Sequence, residues 1–172
     1  MDIKTRIKIS KISTFVFDVD GVFTDARITV TDNGVDRVFN VRDGYAVQML
    51  IKAGFKTAVI SGGKQENIRT RLGGLGIDEI QLAVGTADKP GVFKELLEEW
   101  NITEEEVLYI GDDIPDLLLM KGFNVFKACP ADAEPEVLEV ADYISPFNGG
   151  AGAVRDVIKL VMKEQGKWMK VF

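Results

Sequence analysis

Short apolar runs alternate along this chain with longer stretches in which apolar residues recur at helical spacing. Residues 12–19 form the first apolar run, which is hydrophobic enough for a strand that is buried on both faces. Similar runs at residues 56–60, 107–110 and 123–127, and a weaker one at 79–83, predict the remaining core strands. This alternation is typical of a parallel sheet that is covered by helices on both faces.

The amphipathic stretches predict five helices, at residues 43–53, 64–72, 89–100, 116–121 and 151–164. The third helix starts at Lys89-Pro90, because proline is tolerated in the first turn of a helix. Neither a repeat nor a linker interrupts the pattern. We therefore expect one domain, residues 1–172, with a Rossmann-like three-layer α/β/α fold around a central parallel sheet.

One segment departs from the alternation of strands and helices. Residues 26–31 and 35–41 are both β-rich, and Asp32-Asn33-Gly34 separates them. Asn-Gly between two such runs is a strong hairpin signal, because both residues tolerate the positive φ angles of a tight turn. The sequence therefore predicts a small β-hairpin inserted after the first strand.

Composition narrows the chemistry that this fold could carry. The chain has no histidine, which excludes a Ser-His-Asp or Cys-His catalytic site and any histidine-ligated zinc. Its single cysteine cannot form an internal disulfide, which favours a reducing, cytoplasmic location. No apolar run approaches the length of a membrane span. The net charge of −6 disfavours nucleic acid and anionic membranes as partners. General acids and bases would have to be carboxylates, lysine or tyrosine.

Aspartates cluster directly after two of the predicted strands. Asp18 and Asp20 follow the first strand, whereas Asp112, Asp113 and Asp116 follow the strand at 107–110. If these strands are neighbours, their carboxyl ends bring the side chains together, and the carboxylates repel one another unless a cation neutralises them. A set of oxygen ligands without histidine or thiolate favours Mg²⁺. Each aspartate alone could be a turn residue, and Asp113 or Asp116 could cap a helix.

Other residues at the same edge of the sheet predict an anion site. Ser61-Gly62 precedes a helix, so that a hydroxyl and backbone N–H groups could hold a phosphate. Lys89 opens another helix near this face and could compensate the charge of a phosphate beside aspartates. Arg42 and Gly44, just past the hairpin, could add a further anion contact, although an Arg42-Asp43 surface pair would explain this segment nearly as well.

Four segments resemble, in order, the motifs of the haloacid dehalogenase superfamily of phosphotransferases: DVDGVFT at 18–24, Ser61-Gly62, Lys89, and GDDIPD at 111–116. The resemblance covers residues 15–172. The segments DVDGVFTD, VRDGYAVQML and NGGAGAVRDVI, with a short hairpin in place of a cap domain, narrow it to the capless type. It implies a phosphoric monoester hydrolase that requires Mg²⁺ and cleaves 3-deoxy-D-manno-octulosonate 8-phosphate, in lipopolysaccharide precursor synthesis.

The resemblance also implies a role for each matching residue. Asp18 would attack phosphorus to give an aspartyl-phosphate, and Asp20 would protonate the leaving sugar oxygen and then activate water. Mg²⁺ would be held by the Asp18 carboxylate, the backbone carbonyl of Asp20, and Asp112. The remaining matching residues would assist: Ser61 and Lys89 would bind the phosphoryl group, and Asp113 and Asp116 would orient the metal ligands or Lys89.

Capless relatives are similar in forming tetramers, in which the hairpin joins a central barrel and a neighbouring subunit covers each active site. The resemblance thus implies a homotetramer with residues 26–41 at the interface. The apolar end of the tail (166–172), from Trp168 onwards, would be a lid; the alternatives are that it packs on its own domain or is disordered.

One position departs from the family pattern, so that the resemblance does not decide which sugar phosphate is the substrate. Many relatives carry arginine or glutamate two residues after the motif serine, whereas this chain has Gly63; Lys64 or Arg69 could take over the contact. The enzymatic alternative is therefore a phosphatase for a nine-carbon keto-deoxy sugar-acid 9-phosphate. Two alternatives from other classes are a receiver-type phospho-acceptor domain and a catalytically silent subunit. Asp20 disfavours the receiver because it would shorten the life of a phosphoaspartate, and the intact Asp18/Asp20 pair disfavours the silent subunit.

Overall fold

The computed structural model describes residues 2–32 and 34–170. The strands are β1 Thr14–Phe17, β2 Thr29–Thr31, β3 Gly34–Asp36, β4 Lys56–Ile60, β5 Glu79–Gln81, β6 Val107–Ile110, β7 Phe126–Cys129 and β8 Tyr143–Ile144. The helices are α1 Ile3–Lys11, α2 Val41–Lys52, α3 Glu66–Gly73, α4 Lys89–Trp100, α5 Ile114–Gly122, α6 Pro135–Leu138 and α7 Ala153–Glu164, with a 3-10 turn at Glu104–Glu106.

Six strands form one parallel sheet in the order β5-β4-β1-β6-β7-β8. The central strand β1 is buried along its whole length, as its apolar sequence predicts. Phe15 and Phe17 pack into the core on one face of the sheet, towards α2 and α7, and Val16 packs into the core on the other face, towards α4 and α5. The predicted three-layer α/β/α fold is therefore confirmed.

The strand order places the two aspartate segments side by side. Phe17, the last residue of β1, pairs with Val59 of β4 and with Ile110 of β6, so that the three strands end within one residue of one another. The N–H of Asp18 then donates to the carbonyl of Ile110, at 2.9 Å. The neighbouring strands on which the predicted carboxylate cluster depends are thus present.

The hairpin is present, with shorter strands than predicted. β2 and β3 pair antiparallel, with Val30 opposite Val35, and form a sheet of their own between β1 and α2. Asn33, in the predicted turn, lies outside the described residues. The hairpin is thus the insertion that was expected in place of a cap domain.

Some elements differ from the sequence prediction. Helix α1 was not predicted, because a charged residue at nearly every second position obscures an apolar face. Of its residues only Ile9 is buried, and the Gln165 side chain donates to the carbonyls of Ile9 and Ile12. The strand predicted at 123–127 starts later, at Phe126, because the N–H of Phe123 still bonds the last turn of α5. The short elements α6 and β8 were also missed. Among the described residues, no helix is long and apolar enough to cross a membrane.

Candidate active site

A cleft of about 190 Å³ opens at the carboxyl ends of β1, β4 and β6. Most of the predicted site residues line it: the cleft is bounded by Asp18, Asp20, Ser61, Gly62, Gly63, Val84, Thr86, Lys89, Asp113, Pro115 and Asp116. Ligands of open parallel sheets bind at this edge, where the strand order reverses.

Lys89 carries the positive charge at the bottom of the cleft. It is 2% exposed, and its ammonium group donates to Asp18 Oδ1 at 2.9 Å and to Asp116 Oδ1 at 2.7 Å. Burial opposes the charged form, but the negative charges of Asp18 and Asp116 outweigh it and raise the pKa of Lys89. Lys89 is therefore a fixed cation beside Asp18.

Asp116 is saturated with hydrogen bonds from the protein. Besides Lys89, its Oδ1 accepts from the hydroxyl of Tyr109 at 2.6 Å, and its Oδ2 accepts from the N–H groups of Asp112 and Asp113, at 2.9 and 3.3 Å. Asp116 and Asp113 also form the capping box at the start of α5, as the alternative interpretation of these residues predicted. Asp116 thus fixes Lys89 and the loop after β6, and it has little capacity left for a ligand.

Asp112, in contrast, has capacity for a cation. Its Oδ1 is buried and accepts no hydrogen bond from the described part of the chain, and a buried acceptor without a partner is costly. Carboxylate oxygens of Asp18, Asp112 and Asp116 lie within 4.8 Å of one another. Gly21, with a φ of +80°, allows this approach, because a side chain there would collide with the Asp112 carboxylate.

The electrostatics of the cluster also fit a divalent cation. Burial, together with repulsion from Asp116, raises the pKa of Asp18 to about 7 despite the contact with Lys89. Burial, together with the charges of Asp18 and Asp116, raises the pKa of Asp112 to about 8. One lysine therefore does not balance these carboxylates, and a bound cation would stabilise their ionised forms.

Asp20 points at the same cleft but is held by a residue that the sequence did not reveal. Arg37 donates two parallel hydrogen bonds to its carboxylate, from Nε to Oδ1 at 2.5 Å and from Nη2 to Oδ2 at 2.9 Å. No local motif marks Arg37, since it lies in the hairpin segment. Tyr109 was also missed; its only signal is a hydroxyl-bearing residue within the apolar run of β6.

The predicted anion loop follows β4. The Ser61 hydroxyl accepts from the N–H of Gly63 at 3.2 Å, which leaves its own proton available to a ligand. Ser61 is 1% exposed, at the base of the cleft, and α3 begins after it, at Glu66. Of the residues considered for Gly63, Lys64 is exposed and Arg69 donates to the carbonyl of Ile80 at 2.9 Å.

Arg42 and Gly44 do not line this cleft, so that their role as anion contacts stays a prediction that the cleft geometry does not support. Arg42 lines a second cleft, beside Phe147 and α7. Gly44 lies against α3, where a Cβ would come within 2.5 Å of the Arg71 guanidinium. Asp43 is buried rather than part of a surface pair, and it accepts from the N–H groups of Gly152 and Arg155 at the start of α7. This segment therefore joins α2 to α3 and α7.

The described part of the tail packs on its own domain. The N–H of Trp168 donates to the carbonyl of Met162, and Arg155 and Lys159 of α7 lie over its ring, at 5.8 and 5.9 Å from the centroid. Val171 and Phe172, which the lid hypothesis included, lie outside the described residues.

Comparisons with known proteins extend over nearly the whole chain. Residues 40–124 match the family model of haloacid dehalogenase-like hydrolases. The chain is 38% identical to 3-deoxy-D-manno-octulosonate 8-phosphate phosphatase KdsC of Salmonella typhi, over 93% of this chain and 84% of the relative. The crystal structure of the phosphatase of that name from Yersinia pestis is similar with a TM-score of 0.93 and 33% identity, covering 99% of this chain and 91% of that one. The Moraxella catarrhalis phosphatase of that name, in complex with magnesium, phosphate and KDO, gives a TM-score of 0.90 at 31% identity, covering 96% and 94%.

Proposed function

Because this chain belongs to the haloacid dehalogenase-like hydrolases, we propose that it is a Mg²⁺-dependent phosphatase that hydrolyses 3-deoxy-D-manno-octulosonate 8-phosphate to the free sugar acid and phosphate. The observation that carries this proposal is the buried Asp18, in contact with Lys89 and close to the unpartnered carboxylate oxygen of Asp112. The whole chain, residues 1–172, would act as one phosphatase domain in lipopolysaccharide precursor synthesis.

Two carboxylates divide the chemistry in the proposed mechanism. A carboxylate oxygen of Asp18 attacks phosphorus while the bond to the sugar oxygen breaks, giving an aspartyl-phosphate. Asp20 gives its proton to the departing sugar oxygen and then takes a proton from the water that hydrolyses the aspartyl-phosphate. Both roles suit a chain without histidine.

The phosphoryl group is positioned by residues at the base of the cleft. The Ser61 hydroxyl and the Lys89 ammonium bind its oxygens, and Asp116 keeps Lys89 in place through the 2.7 Å contact. Asp113 orients the loop that carries Asp112. Asp18, Asp112 and the backbone carbonyl of Asp20 would hold Mg²⁺, which would supply charge neutralisation between the carboxylates and the phosphate.

A phosphate-release assay across sugar phosphates tests the substrate. With Mg²⁺ present, we expect the highest kcat/KM for the eight-carbon 8-phosphate, and EDTA should stop turnover until Mg²⁺ is restored. A higher kcat/KM for the nine-carbon 9-phosphate would contradict the chosen substrate and favour the alternative that Gly63 leaves open. A stable phosphorylated protein without turnover would instead favour the receiver-type domain.

The hairpin and the start of α2 support a homotetramer. Five large apolar or aromatic side chains there are exposed: Ile28 at 53%, Val30 at 73%, Val38 at 79%, Val41 at 77% and Tyr45 at 47%. An apolar patch of this kind is favourable when a second copy of the chain covers it. We expect light scattering to give the mass of four chains, and the double variant Val30→Asp/Val38→Asp to give a smaller species. A wild-type monomer would contradict this assembly.

Partners and location follow from the same proposal. The substrate is a small sugar phosphate, and the chain's negative charge disfavours nucleic acid or an anionic membrane surface as a partner. A cytoplasmic location stays a prediction, supported by Cys129, the chain's single cysteine, which is a buried free thiol.

A further inference from the structure

Arg37 is more buried than its two neighbours in the hairpin segment, Asp36 and Val38, which are both exposed. Its side chain is only 7% exposed, whereas the next residue, Val38, is 79% exposed. Withdrawing a guanidinium from water is costly unless protein partners replace the lost hydration. Hydrogen bonds from Arg37 to other protein groups must therefore replace the water that its guanidinium has lost.

Three hydrogen bonds hold Arg37 between two elements of the site. Two run to the Asp20 carboxylate, and the third runs from Nη1 to Gln65 Oε1 at 2.8 Å. Gln65 is the residue directly before α3, on the loop that begins at Ser61. Arg37 thus connects the hairpin to the loop after β1 and to the anion loop after β4.

The glycine at position 63 leaves the room that this guanidinium fills. Arg37 Nη2 lies 3.6 Å from the point where a Cβ on Gly63 would be, and Ile68 Cδ1 lies 2.6 Å from it. A long side chain at this position would compete with Arg37 for the same space. The absence of a side chain at position 63 is therefore linked to the inward position of the Arg37 side chain.

Within the described residues, the Asp20 carboxylate accepts hydrogen bonds from one residue, Arg37, whereas the Asp116 carboxylate accepts them from several. Asp116 receives four hydrogen bonds, and Asp18 also follows the hydrogen-bonded end of β1. Within residues 2–32 and 34–170, Arg37 donates every hydrogen bond that the Asp20 carboxylate accepts. The Asp20 side chain is 35% exposed, so that without Arg37 it could rotate towards solvent.

We propose that Arg37 is the positioning residue that aims the Asp20 carboxylate at the leaving oxygen and at the attacking water. This inference rests on the proposed function, in which Asp20 transfers the proton in both steps. Arg37 does not line the cleft that binds the phosphoryl group, so that its effect reaches the substrate through Asp20. Its loss should therefore lower kcat and leave KM nearly unchanged.

The test replaces Arg37 with methionine, which keeps the length of the side chain but donates no hydrogen bond. We expect kcat on the sugar-acid phosphate to fall about 10- to 100-fold, a part of what general acid–base catalysis contributes, with KM within about threefold of wild type. Arg37→Lys keeps the charge but cannot form the bidentate hydrogen bond, and it should recover only part of kcat.

A substrate with a good leaving group separates positioning from a merely structural role. p-Nitrophenyl phosphate loses its phenolate without needing a proton, so that the first step on Arg37→Met should stay fast. Hydrolysis of the aspartyl-phosphate still needs Asp20, so that about one p-nitrophenolate per chain should appear in a burst before slow turnover. Arg6→Met, at an exposed arginine of α1 outside the hairpin segment, is the control and should keep wild-type kinetics.

The outcomes distinguish this inference from the function on which it rests. Wild-type kcat in Arg37→Met, a rise in KM that accounts for the lost kcat/KM, or the absence of a burst would overturn the role of Arg37. A wild-type protein that cleaves p-nitrophenyl phosphate but no sugar-acid phosphate would contradict the proposed substrate, and the burst would still decide the role of Arg37.

Discussion

Replacing Asp18 with asparagine is expected to abolish phosphate release, with a loss in kcat on the order of 10⁴-fold or more, as for other enzymes that lose their nucleophile. The amide has nearly the shape of the carboxylate, but it is a weak nucleophile and a poor ligand for Mg²⁺. The measurement is released phosphate under saturating substrate, together with acid-quenched protein to detect the aspartyl-phosphate, which only the wild type should form.

The fold should survive this substitution, which makes the activity loss interpretable. Asp18 already has a raised pKa, so that its ionisation is unfavourable in the metal-free protein, and the neutral amide relieves repulsion with Asp116. We therefore expect the Tm in EDTA to be at least that of wild type. Asp25→Asn, at an exposed aspartate beyond the cleft, is the matched control and should keep full activity. Full turnover by Asp18→Asn would rule out Asp18 as the nucleophile.

The sequence was sufficient to predict the site residues that directly follow strands. A strand with a continuous apolar run is buried on both faces, and residues after such strands meet at one edge when the strands are neighbours. This placed Asp18 near Asp112, and the 2.9 Å bond from the N–H of Asp18 to Ile110 shows the neighbouring strands directly. Lys89 was located by the proline that follows it at the start of α4.

Contacts that depend on the direction of an irregular segment could not be predicted in this way. Arg37 and Arg42 are both arginines near the end of the hairpin segment, and Arg42 was predicted as an anion contact because it lies just past the hairpin, whereas nothing in the sequence marked Arg37. The structure turns Arg37 inward to Asp20, whereas Arg42 faces a cleft beside α7. Neither hydrophobic periodicity nor turn chemistry encodes this choice, because it is set by tertiary packing of the hairpin against α3.

Lys89 is the residue whose loss should damage stability and activity together. Its buried ammonium is the positive partner of two buried carboxylates, Asp18 and Asp116, and removing one partner of such a group leaves charge uncompensated. Lys89→Met should lower the free energy of unfolding in EDTA by about 3 kcal/mol at pH 8. It should also lower kcat on the order of 10³-fold, because a cation that stabilises the transferring phosphoryl group is lost.

The loss of stability in Lys89→Met should depend on pH in a defined direction. The pKa of Asp18 is already raised to about 7, and without the lysine it rises further, so that the folded state holds a proton that the unfolded state has released. Stability is then retained near pH 5 and lost as the pH rises through the folded-state pKa. Urea unfolding at pH 5 and pH 8 measures this difference, with Lys94→Met, an exposed lysine on the same helix, as the control. A destabilisation equal at both pH values would mean that Lys89 acts by packing alone. Added Mg²⁺ should reduce the loss of stability at pH 8, because it supplies positive charge to the same carboxylates.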